Sequence, residues 1–288
     1  MFDFHNHYTN WKQSGSDFFG LIDAMDKAGV DKTVVFGLPT AFSGNHYVVD
    51  TKTDFRLLQQ YKKLPEEIRK RIFPFICGIN PNNPAAIPYA EDLIQNNKDA
   101  IFGIGEIMCR HDKMSINVFG KEVPANTETM MMLTDLASKY QLPLLVHNNI
   151  ASIDDVEPSY VFEIEQLLGH NRNTKIIWAH SGISKGLNGI PLEVLLKTLA
   201  RLFDENDNLL VDLSWCVFEY YIDGHEEEWK GIIEEYPERF LLGTDRTGKW
   251  RKYCDEVEKY DELVGLLSEE AREEILFRNA ERLLIERT

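Results

Sequence analysis

FDFHNH, residues 2–7, alternates large apolar and polar side chains and ends in two histidines one position apart. Alternation with period two is the mark of a strand, and it puts Asp3, His5 and His7 on one face. The residues just after this strand decide the fold. A doubly wound open sheet needs a glycine-rich phosphate loop after an early strand. This chain runs instead into His5-Asn6-His7-Tyr8-Thr9-Asn10, with no glycine. A parallel barrel asks only that polar chemistry sit at the C-terminal ends of its strands. The first strand therefore reads as the opening of a barrel.

Seven more runs of the same kind occur along the chain: TVVFGLP (33–39), IFPFICGIN (72–80), FGIGEI (102–107), LPLLVHNN (142–149), KIIWAHSG (175–182), NLLVDLSW (208–215) and RFLLGTDR (239–246). Val, Ile, Leu and Phe dominate them, as strands buried on both faces require. Amphipathic stretches separate them. DFFGLIDAMDKAG (17–29) ends in Gly29 at a C′ position, and SEEAREEILFRNAERLL (268–284) starts from Ser268 as an N-cap. TETMMMLTDLASKY (127–140) carries Met130, Met131 and Met132, read as core filler. The Glu226–Glu228 run reads as a solvated helix face. Strand and helix alternate eight times, which predicts an α/β fold, a (β/α)8 TIM-like barrel in a single domain over residues 1–288.

The bulk numbers agree. The chain has 288 residues, of which 43% are hydrophobic, enough for a large core. Its net charge of -16 repels phosphate backbones and anionic headgroups, which argues against nucleic-acid and membrane partners. Cys77, Cys109, Cys216 and Cys254 form no CxxC pair and read as free thiols of a reducing compartment, hence a cytoplasmic location. The partner expected is a small-molecule substrate, with homodimerisation left open.

The polar residues at the strand ends carry the chemistry. His5 and His7 end the first run, Glu106 the fourth, His147 the fifth, His180 the sixth and Asp245 the eighth. A lone histidine there is ordinarily a hydrogen-bonded core residue. Six metal-type side chains converging on one end of five strands are not explained that way. Imidazole and carboxylate donors suit zinc or another divalent ion, and a catalytic site keeps one position open for a water that the ion acidifies. A further histidine and an aspartate then move the proton. Asp3 lies one step below His5 on the same face, placed to orient a histidine or to anchor a network beneath the ion. His46, His170 and His225 read as surface.

With HxH on strand one, His on strands five and six and Asp on strand eight, the sequence resembles the metal-dependent hydrolases of the amidohydrolase superfamily. Trp178-Ala179-His180-Ser181-Gly182 and Leu241-Leu242-Gly243-Thr244-Asp245 look like the branch of aminocarboxymuconate semialdehyde decarboxylase and related decarboxylases, hydratases and lactone hydrolases. The resemblance spans essentially the whole chain. It implies that His5, His7, His147 and Asp245 hold one zinc ion and that His180 activates the water or stabilises developing charge. Many members carry a carboxylated lysine on strand four bridging two metals. Here that place is Glu106, which argues against a lysine-bridged pair but leaves a second ion open, because TatD-like phosphodiesterases use a glutamate there. The branch's proline after the strand-eight aspartate is missing from Asp245-Arg246-Thr247-Gly248, which leaves the substrate open.

The reaction expected is hydrolysis of a small ester, lactone or amide, or a non-oxidative decarboxylation on the same scaffold. The alternatives are a TatD-like two-metal phosphodiesterase and a non-enzymatic metal-binding protein. Arg110, His111 and Lys113 after strand four and Arg246 after Asp245 predict recognition of an anionic, carboxylate-bearing substrate. Trp215 and Trp178 add aromatic surface near the same rim, or Trp178 instead fills the core.

Overall fold

The computed structural model describes residues 1–9, 17–43 and 46–286. Eight strands form one sheet: β1 (Phe2–Asp3), β2 (Lys32–Val35), β3 (Ile72–Ile76), β4 (Gly103–Met108), β5 (Leu144–His147), β6 (Ile176–Trp178), β7 (Leu209–Asp212) and β8 (Phe240–Leu241). They lie side by side in chain order, every neighbouring pair parallel. The sheet returns to its first strand through Phe4 N–H, which donates to Leu242 O at 2.8 Å, and Asp245 N–H, which donates to His5 O at 2.7 Å. Beyond them Asn6–His7 pairs in parallel with Arg246–Thr247. This closure makes the (β/α)8 barrel expected from the sequence and removes the exposed strand edges of an open sheet.

Helices α1 (Phe18–Ala28), α2 (Lys52–Tyr61), α3 (Ala86–Gln95), α4 (Asp112–Phe119), α5 (Glu128–Lys139), α6 (Val161–His170), α7 (Leu192–Glu205) and α8 (Glu226–Glu235) connect the strands. Local chemistry sets their ends. The Asp17 carboxylate accepts from Phe19 N–H, and Gly29 closes α1 in the left-handed region at φ 69°. The lumen is filled by side chains, among them Phe2, Phe4, Phe36, Phe73 and Phe75. Phe4 and Phe75 meet edge to face at 5.8 Å, and the Phe36 ring lies 4.9 Å from that of His5. These rings form an apolar floor under the barrel mouth.

The structure corrects several local expectations. The first run is not one strand: it stops at Asp3 and resumes at Asn6. β6 ends at Trp178 and β8 at Leu241, so His180 and Asp245 sit in turns beyond their strands. Glu106 lies within β4, not at its end. Of the three methionines only Met130 is fully buried, while Met132 is exposed. Trp178 is core, with Nε1 donating to Asn148 O at 2.7 Å, and does not reach the rim. An antiparallel hairpin, Thr40–Ser43 with His46–Val49, has no counterpart among the apolar runs, and exposed His46 begins its second strand.

Candidate metal centre

Unusual backbone presents the site's side chains. His180, Ser181, Trp215 and Asp245 all adopt positive φ, near 50°, and all lie at the barrel mouth. Non-glycine residues in that region cost about 1 kcal/mol or more each, and such strain gathers where side-chain direction matters. On β4 the register slips between Ile104 and Ile107, the kind of irregularity that re-aims a side chain, here Glu106. Gly105 permits this: a Cβ there would lie 2.3 Å from Leu145 O.

Glu106 stands at the centre. Its Oε2 lies 3.7 Å from His5 Nε2 and 3.6 Å from His7 Nε2. Asp245 Oδ1 lies 3.6 Å and 3.0 Å from the same two nitrogens. Donors about 2.1 Å from a tetrahedral zinc stand about 3.4 Å apart, so these spacings match the edges of one coordination shell. The other Glu106 oxygen, Oε1, faces the opposite way, 2.8 Å from His147 Nδ1 and 3.4 Å from His180 Nε2. Among the described residues three groups of donors each lie within 4.8 Å: His5, His7 and Asp245 on one side, Glu106, His147 and His180 on the other, and His5, His180 and Asp212 behind them. The four-residue set expected from the resemblance is therefore not gathered as such: Glu106 stands beside His5, His7 and Asp245, and His147 belongs with His180.

Hydrogen bonds behind the rings fix their tautomers. His7 Nδ1 donates to Gly37 O at 2.8 Å, so its Nε2 carries the lone pair. His5 Nδ1 lies 3.0 Å from Asp212 Oδ2, and its Nε2 is buried without a hydrogen-bond partner, as is Asp245 Oδ1. Burial favours neutral groups throughout, yet the charges win. Asp212 and Glu106 outweigh the burial of His5 and hold it well above the ordinary histidine value. His180, buried beside the same carboxylates, is pushed up to about 9. The histidines in turn overcome burial to hold Glu106, Asp212 and Asp245 below the usual carboxylate range. Three nearly or fully buried carboxylates stay ionised with imidazoles as neighbours. Buried charges require partners or a metal, and the two orphaned atoms aim at the same space. The donor set fits a divalent cation.

A cavity of about 370 Å³ opens over these groups. His111, half-buried, lines it with its ring stacked on His147 at 4.1 Å; burial, then the neighbouring His147, pushes its pKa down to about 3, so it is neutral. Trp215 forms another wall, 5.2 Å from the His180 ring. Arg246 also lines the cavity, with Nη1 3.2 Å from Glu256 Oε1, and Glu219 and Glu256 add two carboxylates. Arg110 does not belong here. Its Nε donates to both oxygens of buried Glu163, at 2.8 and 3.0 Å, another nitrogen meets Glu122, and the guanidinium covers Tyr160 at 3.8 Å. A fully buried carboxylate needs a cation, and Arg110 is consumed in supplying it.

Asp3 takes the second of its expected roles. Its Oδ1 accepts from His5 N–H and Thr244 N–H, and its Oδ2 from Thr244 Oγ1 and Tyr253 Oη, tying β1 to the loop after β8. Asp212 and Ser214 are site residues that the strand-end reading does not single out. The signal is present in Asn208-Leu209-Leu210-Val211-Asp212, a lone carboxylate at the end of a buried apolar run.

Comparison with known proteins agrees with this architecture. The sequence profile of a family described as Amidohydrolase matches residues 2–284. An amidohydrolase from Burkholderia multivorans with bound zinc superposes with a TM-score of 0.65 at 13% identity, covering 98% of each chain. A 2,6-dihydroxybenzoate decarboxylase from Rhizobium gives 0.64 at 13% identity, over 98% of this chain and 97% of that one. A dihydroorotase from Campylobacter jejuni gives 0.59 at 18% identity, over 98% and 82%. At such identities the structural likeness is one of fold. No curated protein matches the sequence.

Proposed function

This chain belongs to the amidohydrolase family, whose enzymes hydrolyse or decarboxylate, and we propose that it hydrolyses a small organic ester, lactone or amide at two divalent-ion positions sharing Glu106. The observation that carries this reading is the division of labour between the two Glu106 oxygens. His5, His7 and Asp245 with Oε2 would hold one ion; His147 and His180 with Oε1 would hold the other. The sequence, through its resemblance, favours a single ion and leaves a second open. Zinc suits these nitrogen and oxygen donors, and when bound it polarises a carbonyl and acidifies a water.

The chain's own groups do the rest. Asp245 lines the cavity with Oδ1 turned between the two histidines, which leaves its second oxygen to take up and release the proton. The sequence divides this task between Asp245 and His180; in the fold, His180 Nε2 is turned onto Glu106. Neutral His111 and Trp215 offer flat faces to a planar acyl or ring system. With Arg110 engaged elsewhere, Arg246 is the one cation among the described residues lining the cavity that supports a carboxylate on the substrate, which would compete with Glu256 for its guanidinium. The phosphodiesterase alternative finds no support, because Glu219 and Glu256 make the cavity wall acidic rather than basic.

Elemental analysis of wild type and Glu106→Gln tests the reading. About two ions per chain are expected in wild type and fewer in the variant. A value near one, unchanged in Glu106→Gln, overturns the shared carboxylate. A screen of lactones, esters, amides and carboxylated aromatics tests the reaction: release of carbon dioxide with no hydrolysis of any member overturns the hydrolase assignment.

A further inference from the structure

Asp212 ends β7, is fully buried, and forms a close group of its own with His5 and His180, one member of each ligand group. Its Oδ2 lies 3.0 Å from His5 Nδ1. Its Oδ1 accepts three hydrogen bonds: from His180 N–H at 3.1 Å, Ser214 N–H at 3.0 Å and Ser214 Oγ–H at 2.5 Å. Ser214 Oγ also lies 2.8 Å from His180 Nδ1, closer than the 3.4 Å from that nitrogen to Asp212 Oδ1 itself.

With both rings neutral, as holding a cation requires, the donor rules leave one arrangement. An ionised carboxylate only accepts, so His5 Nδ1 carries a proton and His5 Nε2 is bare. The single Ser214 hydroxyl proton is committed to Asp212, so its oxygen accepts from His180 Nδ1–H, and His180 Nε2 is bare in turn. Both bare nitrogens face Glu106, His5 towards Oε2 and His180 towards Oε1. We infer that Asp212 is a positioning residue that sets the tautomer of His5 directly and that of His180 through the Ser214 hydroxyl, coupling the two ion positions from behind. The inference rests on the metal-centre reading above. His7 supplies an internal control, since its tautomer is set by the Gly37 carbonyl, which no side-chain substitution alters.

Asp212→Asn keeps the shape and reverses part of the chemistry. Three donors converge on Oδ1, so the amide oxygen takes that place and the amide nitrogen faces His5 Nδ1. His5 must then accept there and carry its proton on Nε2, which blocks the lone pair aimed at the ion. Zinc is the probe, its affinity measured by chelator competition, with ring nitrogen signals followed by 15N NMR. Asp212→Asn is expected to bind zinc about 10–100-fold more weakly, the usual effect of losing a ligand's hydrogen-bond partner. Its His5 ring signals should change to the Nε2–H form, while those of His7 stay as in wild type. Ser214→Ala should change His180 but not His5, and Ser214→Thr, which keeps the hydroxyl, should restore His180. If Asp212→Asn does not fold, the two Ser214 variants decide, and unchanged His180 signals and zinc affinity in Ser214→Ala overturn the relay. Wild type that binds no zinc overturns the metal-centre reading and this inference with it. Wild type that binds zinc no better than Asp212→Asn, with identical His5 signals, overturns the inference alone.

Discussion

Asp54 shows at the scale of one residue how burial sets a charge. It is fully buried on α2, with its two oxygens accepting from Cys77 N–H at 2.8 Å and Gly78 N–H at 2.9 Å, where the chain leaves β3. Those bonds favour the carboxylate, but desolvation is larger and raises its pKa from 3.8 to about 7. The folded chain therefore holds a proton between about pH 4 and 7 that the unfolded chain has released. Stability from this group is full below pH 4 and falls as pH rises to 7. Denaturant unfolding of wild type and Asp54→Asn across that range should show a difference that shifts in the variant's favour with rising pH. A constant difference would mean that Asp54 does not titrate there. Residue identities are partly legible before folding. His5, His7, Glu106, His147, His180 and Asp245 stand out because each interrupts an apolar strand run. Arg110 misleads because its partner Glu163 lies 53 positions away, and no local pattern shows that pairing.

At the scale of elements, helix ends are readable because their signals are local. Ser268 caps the last helical run as expected, its Oγ accepting from Ala271 N–H at 3.2 Å. It also donates to Glu234 at the end of α8, at 2.6 Å from its N–H and 2.7 Å from its hydroxyl. Ser268→Ala should lower the unfolding free energy by about 1 kcal/mol while leaving zinc content unchanged. A loss in zinc content would mean that the cap reaches the site. Strand lengths are less readable. Runs of six to nine apolar-rich residues predict longer strands than the two-residue β1 and β8, because pairing depends on where a neighbour continues.

For the whole molecule, an ion held at the candidate centre would also be a folding constraint. Glu106, Asp212 and Asp245 draw together carboxylates from β4, β7 and the loop after β8, and a bound cation offsets the cost of burying them. Chelation should lower the melting temperature, and excess zinc should raise it with concentration. At about 100 times Kd the stabilisation is about 2.7 kcal/mol per site. A melting temperature indifferent to both treatments would count against the ligand assignments. The chain is acidic, with a net charge of -16, and among the described residues no helix is long and apolar enough to cross a membrane.

The sequence by itself determined the barrel and the candidate ligands. Alternating runs and caps are short-range patterns, and parallel strands bring their C-terminal ends to one face whatever their exact lengths. Only the tertiary structure decided how those ligands divide. The slip on β4 turns Glu106 so that each oxygen meets different histidines, and Asp212 reaches two rings from strands far apart in the chain. Such directions depend on χ angles and strand register, which arise when eight strands close on one another and leave no trace in residue spacing.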